Sequence, residues 1–283
     1  MTGRGVLPTG TGVGGLIRSS HPGPCLGITA MTIALTAAAG PLSRTTVPFA
    51  VSVLAGQLSI GWSNDYVDAD LDRQAGRTDK PLATGAVSQR AVGIAAAVSL
   101  VLSLGLAFAL GWRTGVLSVV VVGAGWAYNL GLKASPLSGL MYLLGFGPIP
   151  ALATSVLPGH PLPRPWTVAA AGLLGLGAHF ANVLPDLAGD QAGGVRGLPQ
   201  RVAAAAGPTA ERVTALVLLL TASALIAFAP GTPYRWVSLT VLGAALALGL
   251  VALRASGRTP FRCAMGIAAI NVLLLLFSGA DVV

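Results

Sequence analysis

The sequence predicts an all-α, polytopic membrane protein. Of its 283 residues, 54% are hydrophobic and only 9% are charged, and the mean hydropathy is +0.77. Soluble domains carry about 25% charged residues. The apolar residues form long unbroken runs, unlike the alternating segments of about ten residues that are typical of a membrane β-barrel. Abundant Ala and 38 Gly favour close packing between helices. The lipid bilayer is therefore the predicted environment of the chain.

Nine apolar segments approach the length of a membrane-spanning helix, which is about 20 residues. They cover residues 23–40, 46–63, 91–111, 114–132, 137–157, 166–184, 209–229, 234–253 and 262–280. The connections after the first, third, fifth and seventh segments are short and poor in charge, whereas 64–90 and 185–208 are long and polar. Residues 1–16 are rich in Gly and Thr and lack the apolar core of a signal peptide. We therefore expect a flexible N-terminal tail over 1–16 and one transmembrane domain over 17–283.

The basic residues indicate an orientation in the membrane. The net charge is +8, which in a membrane protein is better explained by the positive-inside rule than by a nucleic-acid partner. A cytoplasmic N-terminus puts 13 of the 17 basic residues inside and leaves four outside, Arg44, Arg113, Arg164 and Arg235. The sequence thus predicts a multi-pass protein of the cell membrane with its C-terminus outside and both long polar connections in the cytoplasm. No protein partner can be inferred.

The carboxylates are concentrated in the two long polar connections. Seven of the nine acidic residues lie there: Asp65, Asp68, Asp70, Asp72, Asp79, Asp186 and Asp190. In the first connection Asn64, Asp68 and Asp72 are spaced at i, i+4 and i+8. The same spacing recurs where the sixth segment meets the second connection, with Asn182, Asp186 and Asp190. Two matching acidic segments on one side of the membrane favour a site over two merely solvated loops.

Helical phase separates the acidic residues of the first connection. If the second span continues as a helix with about 100° per residue, Asn64, Asp65, Asp68 and Asp72 share one face and Asp70 points away. Clustered carboxylates repel one another unless a cation joins them, and Mg²⁺ prefers oxygen ligands together with substrate phosphates. Basic residues that can bind phosphate lie in the same connections: Arg73, Arg77, Lys80, Arg196 and Arg201. The sequence therefore predicts a diphosphate site with Mg²⁺ at a membrane surface.

These motifs resemble those of the UbiA superfamily of intramembrane prenyltransferases. Asn64-Asp65-x-x-Asp68-x-x-x-Asp72, followed by Asp79-Lys80-Pro81-Leu82, resembles the first aspartate-rich motif of the family. Asn182-x-x-x-Asp186-x-x-x-Asp190, followed by Gly193 and Arg196, resembles the second. Tyr128-Asn129-x-Gly-x-Lys133 resembles the tyrosine-to-lysine segment between the fourth and fifth spans. The resemblance covers residues 17–280.

The resemblance implies nine transmembrane helices around a central cavity, with cytoplasmic cap loops, and Mg²⁺-dependent ionisation of a prenyl diphosphate. An acceptor, for which an aromatic molecule is favoured, then attacks the cation. The implied catalytic residues, which are also the metal ligands, are Asp68, Asp72, Asp186 and Asp190. The implied substrate-binding residues are Asn64, Asp65, Arg77, Lys80, Tyr128, Lys133, His179, Asn182 and Arg196. Two features depart from the pattern: Lys80 stands where many members have arginine, and Pro185 should kink or end the helix that carries Asn182.

Several alternatives stay open at this point. His179 could remove a proton, line the cavity or bond between helices, and Tyr128 could face the cation with its ring or simply pack. His21, in the stretch SHPGP, is interpreted as an interfacial residue. The reaction could instead be a terpene cyclisation, or prenyl transfer to a glycerol or sugar phosphate. A transporter is disfavoured, because the two motifs have the same chain direction and lie on the same side of the membrane.

Overall fold

The computed structural model describes residues 12–185, 187, 196–229, 235–277 and 279–282. Within this part of the chain the regular structure is helical and no strand is found, so the all-α prediction is confirmed. The helices are α1 (Val13–Ser19), α2 (Pro22–Ala39), α3 (Thr46–Gln74), α4 (Gln89–Leu110), α5 (Trp112–Asn129), α6 (Ser138–Phe146), α7 (Ile149–Thr154), α8 (Pro165–Val183), α9 (Leu198–Ala206), α10 (Pro208–Ala227), α11 (Arg235–Arg254) and α12 (Thr259–Phe277), with 3₁₀ turns at Leu132–Ala134 and Gly279–Val282.

Six helices of the described residues are long and apolar enough to cross a membrane. They are α2, α4, α8, α10, α11 and α12. The other predicted spans fall on helices of a different character: 46–63 lies in α3, 114–132 covers most of α5, and 137–157 covers α6 and α7. The chain is therefore an integral membrane protein of the multi-pass type.

Helix α3 continues well beyond its predicted apolar segment. It runs to Gln74, eleven residues past position 63, and so carries the Asn64 to Asp72 part of the first motif as regular helix. Its apolar part packs on α4 through reciprocal bonds, in which the hydroxyls of Ser52 and Ser103 each donate to the other residue's carbonyl over 2.8 Å. This pairing fixes the rotation of α3 and therefore the direction in which the motif side chains point.

The predicted fifth span, 137–157, is interrupted. The chain forms α6 and α7 with a break at Gly147 and Pro148. Proline has no N–H to continue the helix ladder and its ring clashes with the preceding turn. The single helix predicted there is thus corrected to two short ones.

The start of the chain also differs from the prediction. Helix α1 begins at Val13, so residues 13–16 do not belong to the expected tail of residues 1–16. The reason is apolar burial: Leu16 packs against a cluster that includes Leu82 and Val92. Residues 1–11 lie outside the described part of the chain.

Two apolar clusters hold these helices together. One joins α8 to α10, α11 and α12 through residues such as Leu174, Leu219 and Ile267. The other joins α3, α5 and α7 through Phe49 and Val121. The polar site described next lies at the ends of the helices that these clusters hold.

Candidate active site

Asp68 lies on the last turns of α3 and is held from two sides. The amide nitrogen of Asn64, one turn earlier, is 3.2 Å from Asp68 Oδ2. The Nζ of Lys133 donates to Asp68 Oδ1 and forms an ion pair with it. Lys133 reaches this position from the 3₁₀ turn that follows α5. Three of the residues predicted from the sequence are therefore brought together.

Asn129 orients this group, although the sequence indicates no role for it beyond its place in the tyrosine-to-lysine segment. It is 3% exposed at the end of α5. Its amide nitrogen donates to the carbonyl of Ile60 at 2.9 Å and to the hydroxyl of Ser63 at 2.7 Å. Its Oδ1 accepts a hydrogen bond of 3.3 Å from the amide nitrogen of Asn64. Because Asn129 is fixed by α3 backbone, it fixes Asn64 in turn.

Asp72, one turn after Asp68, is half-buried, and its carboxylate is engaged by no hydrogen bond or ion pair within the described residues. It lies beyond the predicted span, which ends at residue 63. Burial, together with the neighbouring Asp68 carboxylate, raises the pKa of Asp72. A divalent cation between the two carboxylates would remove this repulsion. Their oxygen donors fit the ligand preference of Mg²⁺.

The described residues supply only one half of the predicted metal ligands. Among them, no group of three or more His, Cys, Asp or Glu residues is close enough to hold a metal ion. Asp186 and Asp190 of the second motif lie outside the described residues. Asn182 is exposed at the end of α8, which stops at Val183, two residues before Pro185 as that proline predicts. Arg196 is exposed, and its carbonyl accepts a bond of 2.8 Å from the Arg201 side chain.

An aromatic group lies between α5, α6 and α8. The rings of Tyr142 and His179 are stacked with centroids 4.3 Å apart, and Tyr128 meets them edge-on at 5.4 Å and 5.8 Å respectively. Phe146 stacks on Tyr142 from one turn further along α6, at 6.0 Å. Tyr142 and Phe146 are not among the residues predicted from the sequence. Their spacing of four residues on α6 is the signal that places both rings on one face.

A buried polar contact fixes His179 in this group. His179 is 2% exposed and its Nε2 is 3.0 Å from the hydroxyl of Ser138. The same hydroxyl accepts the backbone N–H of Leu198 at 2.8 Å. The chain passes close by at Gly197, where an added Cβ would lie 2.7 Å from the carbonyl oxygen of Lys133. The start of α9 is thereby tied to the segment between α5 and α6.

The last turn of α5 connects the two motifs. Asn129 bonds Asn64 of the first motif, as described above. Its neighbour Tyr128 contacts Tyr142 edge-on, and the phenol of Tyr142 lies near Asn182 of the second motif. The leading asparagines of both motifs therefore lie on either side of one helix end. Asn64 and Asn182 thus approach the same part of the bundle, whereas Asp186 and Asp190, on which the predicted convergence also depends, lie outside the described residues.

The remaining predicted residues of the first connection form separate pairs. Asp65 is 1% exposed and bonds Lys80 at 2.7 Å and His21 at 2.8 Å. Arg77 forms a two-point ion pair with Asp79, with both bonds at 2.8 Å, and this pairing holds the pKa of Asp79 below its ordinary value.

Asp70 behaves as its helical phase predicts. Its side chain is 78% exposed and it pairs with Arg73 at the surface. It therefore points away from the group around Asp68.

Solved structures share this fold. A UbiA homolog from Archaeoglobus fulgidus bound to DMAPP and Mg²⁺ has 19% identity and a TM-score of 0.70, and the match covers 95% of this chain and 99% of that one. A structure of a UbiA homolog from the same organism bound to GPP and Mg²⁺ has 17% identity and a TM-score of 0.69, with 95% and 99% covered. A structure described for digeranylgeranylglyceryl phosphate synthase in membranes has 18% identity and a TM-score of 0.69, with 94% and 98% covered.

At these identities the structural likeness establishes the fold. Among curated protein sequences no match is found. The model of the UbiA prenyltransferase family matches residues 25–273, which is most of the chain. This match agrees with the motifs quoted above and with the helical membrane fold that carries them. The chain belongs to the UbiA prenyltransferase family.

Proposed function

We propose that this UbiA family prenyltransferase moves the prenyl group of an isoprenyl diphosphate to an acceptor within the membrane, with Mg²⁺ at the diphosphate. The observation that carries the proposal is the junction at the end of α5. There Asn129 meets Asn64 of the first motif, and Tyr128 meets Tyr142 beside Asn182 of the second. Mg²⁺ with a prenyl diphosphate in two structures of the same fold supports this reading.

The proposed metal ligands are Asp68, Asp72, Asp186 and Asp190. When bound, Mg²⁺ would neutralise the diphosphate and so favour its departure. Asp68 enters this role already oriented, because Asn64 and Lys133 hold its two oxygens. We assign diphosphate binding to Lys133, Lys80, Arg77 and Arg196, with Asn64, Asp65 and Asn182 as orienting groups. Lys and Arg suit this task as donors to phosphate oxygens.

The aromatic group is proposed to receive the prenyl cation. Tyr128, Tyr142 and His179 present ring faces and edges beside Asn182, and a cation over an aromatic face is stabilised by about 2 kcal/mol where water is excluded. His179 is proposed to serve as part of this aromatic lining rather than as a base, since its Nε2 is already hydrogen-bonded to the Ser138 hydroxyl. Release of a proton from the product would then need a group other than the Nε2 of His179.

We favour an aromatic acceptor over one that carries a phosphate. Lys133, Lys80 and Arg77 are each paired with an aspartate, and the aromatic group lies next to the site. An acceptor phosphate would compete with the diphosphate for the same cations. The transporter alternative is not retained, because the family match is to prenyltransferases.

We propose nine membrane-spanning helices around a central cavity, capped by the two motif connections on the cytoplasmic side. α3, α5 and the pair α6–α7 would add three crossings to the six helices that are long and apolar enough by themselves. The N-terminus would be cytoplasmic and the C-terminus outside, as the distribution of basic residues favours.

The metal assignment is tested by single substitutions. We expect Asp68→Asn and Asp186→Asn each to reduce Mg²⁺-dependent diphosphate release from a prenyl diphosphate by more than about 100-fold, because even residues around metal ligands contribute about 10- to 100-fold. Purified protein would be assayed for released diphosphate with prenyl diphosphates of several lengths. Asp70→Asn is the matched control, since Asp70 is exposed on the opposite face, and it should retain activity. Full activity in Asp68→Asn would contradict the assignment.

The same assay separates transfer from cyclisation. A transferase should release diphosphate together with a prenylated product only when a phenol, quinone precursor or other acceptor is added. A terpene cyclase would release diphosphate without any added acceptor, because the double bonds of the substrate itself quench the cation.

A further inference from the structure

The segment before α2 packs closely against α3, next to the first motif. The carbonyl oxygen of Ser20 lies so near α3 that a Cβ added at Gly61 would be 2.0 Å from it. The indole nitrogen of Trp62 donates to the carbonyl of Leu16 at 2.8 Å, and the backbone N–H of Gly12 donates to the carbonyl of Ala86 at 3.0 Å. Residues 12–21, here called the N-terminal strap, are thus fixed both to α3 and to the connection after it.

The strap ends at His21 in an unusual backbone conformation. His21 has φ of 54°, in the left-handed region that residues other than glycine rarely adopt. This conformation aims its ring at α3, where Nε2 lies 2.8 Å from Oδ1 of Asp65. An ionised carboxylate only accepts hydrogen bonds, so Nε2 is the donor in this contact.

Lys80 reaches the same oxygen from the other side. Its Nζ lies 2.7 Å from Oδ1 of Asp65 and 3.4 Å from Nε2 of His21, so the two donors sit side by side on one acceptor. Oδ2 of Asp65 is buried and has no hydrogen-bond partner in the part of the chain that the structure describes. The carboxylate, 1% exposed, therefore depends on these two donors. Loss of either donor would leave a buried charge poorly compensated and the other donor less firmly held.

We infer that His21 is a positioning residue, which acts through Asp65 to hold the ammonium group of Lys80 at the diphosphate site. The inference rests on the proposed function, in which Lys80 binds diphosphate. Lysine has a long flexible side chain, and a cation that is already held loses less freedom when the ligand binds. The strap would thus prepare one phosphate-binding group without touching the substrate.

The test measures binding of inorganic pyrophosphate with Mg²⁺ to the purified full-length protein in detergent by calorimetry. His21→Gly suits the left-handed backbone but removes the ring, and we expect it to raise Kd about 10-fold. His21→Gln keeps a donor at a similar distance and should stay within about 3-fold of the unmodified protein. His160→Gly is the matched control and should change nothing, since His160 has φ of 49° in the connection between α7 and α8 and bonds the Ser155 carbonyl rather than any described motif residue. Kd is independent of the folded fraction, which the fitted stoichiometry reports.

A double-mutant cycle tests whether His21 acts through Lys80. In a Lys80→Met background, His21→Gly should change Kd by less than about 2-fold, because the group it positions is gone. Equal Kd values for His21→Gly and the unmodified protein would overturn the inference. So would a rise in Kd on His21→Gly that is equally large in both backgrounds, and so would an unmodified protein that binds no pyrophosphate. Normal pyrophosphate binding without prenyl turnover would count against the proposed reaction alone and leave the positioning role supported.

Discussion

Tyr142 combines a ring and a hydroxyl whose contributions to the reaction can be separated. The ring is stacked on His179, and the hydroxyl lies near Asn182. We expect Tyr142→Phe to lower kcat/KM by about 2- to 10-fold, the usual range for one hydrogen bond. Tyr142→Ala should lower it by at least about 30-fold, because a desolvated cation–π contact of about 2 kcal/mol is lost as well. Steady-state kinetics with a prenyl diphosphate measure both.

The comparison of the two Tyr142 variants decides which part of the side chain matters. Equal losses in both would contradict a role for the ring and assign the effect to the hydroxyl. Trp236→Ala offers a control for removal of an aromatic ring, since Trp236 is 83% exposed on α11 and should leave the kinetics unchanged.

The sequence predicts the residues of the first motif better than their partners. Helical phase correctly separates exposed Asp70 from Asp68. It cannot distinguish Asp65 from Asp68, which share a face but bond different groups. Those partners come from distant segments, namely the strap for Asp65 and the turn after α5 for Asp68. Helical phase predicts the direction in which a side chain leaves its helix. The partner it meets there depends on how distant segments of the chain fold.

At the scale of elements, the approach of the strap to α3 depends on the absence of a side chain at Gly61. We expect Gly61→Ala to lower the free energy of unfolding by about 1–3 kcal/mol or more, because its Cβ would lie 2.0 Å from the Ser20 carbonyl oxygen and backbone cannot easily move aside. Gly123→Ala is the matched control in the helix α5, where an added Cβ meets no atom of the described residues within 4 Å. Thermal unfolding in detergent compares the two variants.

The difference in stability between the Gly61→Ala and Gly123→Ala variants tests the close contact between the strap and α3. Gly123→Ala should change stability by no more than about 1 kcal/mol, the usual propensity difference between Gly and Ala in a helix. A loss of stability of the same size in both variants would mean that the close contact between the strap and α3 does not limit packing.

At the scale of the whole molecule, hydropathy predicts where most helices lie but not where they break or extend. The break at Gly147 and Pro148 is invisible to a count of apolar residues, which runs through both. Hydropathy also fails to predict the extension of α3 past residue 63, because the motif residues there are polar but remain helical. The approach of Asn64 and Asn182 to the same part of the bundle agrees with the matching spacing of the motifs. The aromatic group depends on the crossing of α5, α6 and α8, and the sequence indicates its members Tyr128 and His179 but not Tyr142.

Membrane orientation is a property of the whole chain, and side-specific labelling tests it. Single cysteines would replace Asp70 and Arg201, both exposed at the motif end, and Leu162, which is 78% exposed in the connection between α7 and α8. The native Cys25 and Cys263 are buried and would be replaced by alanine to remove background. If the two motif connections share the cytoplasmic side, positions 70 and 201 label together in inverted vesicles and position 162 labels only in right-side-out vesicles. Labelling of 70 and 201 from opposite sides would separate the two motifs by the bilayer, and no single diphosphate could then bridge them.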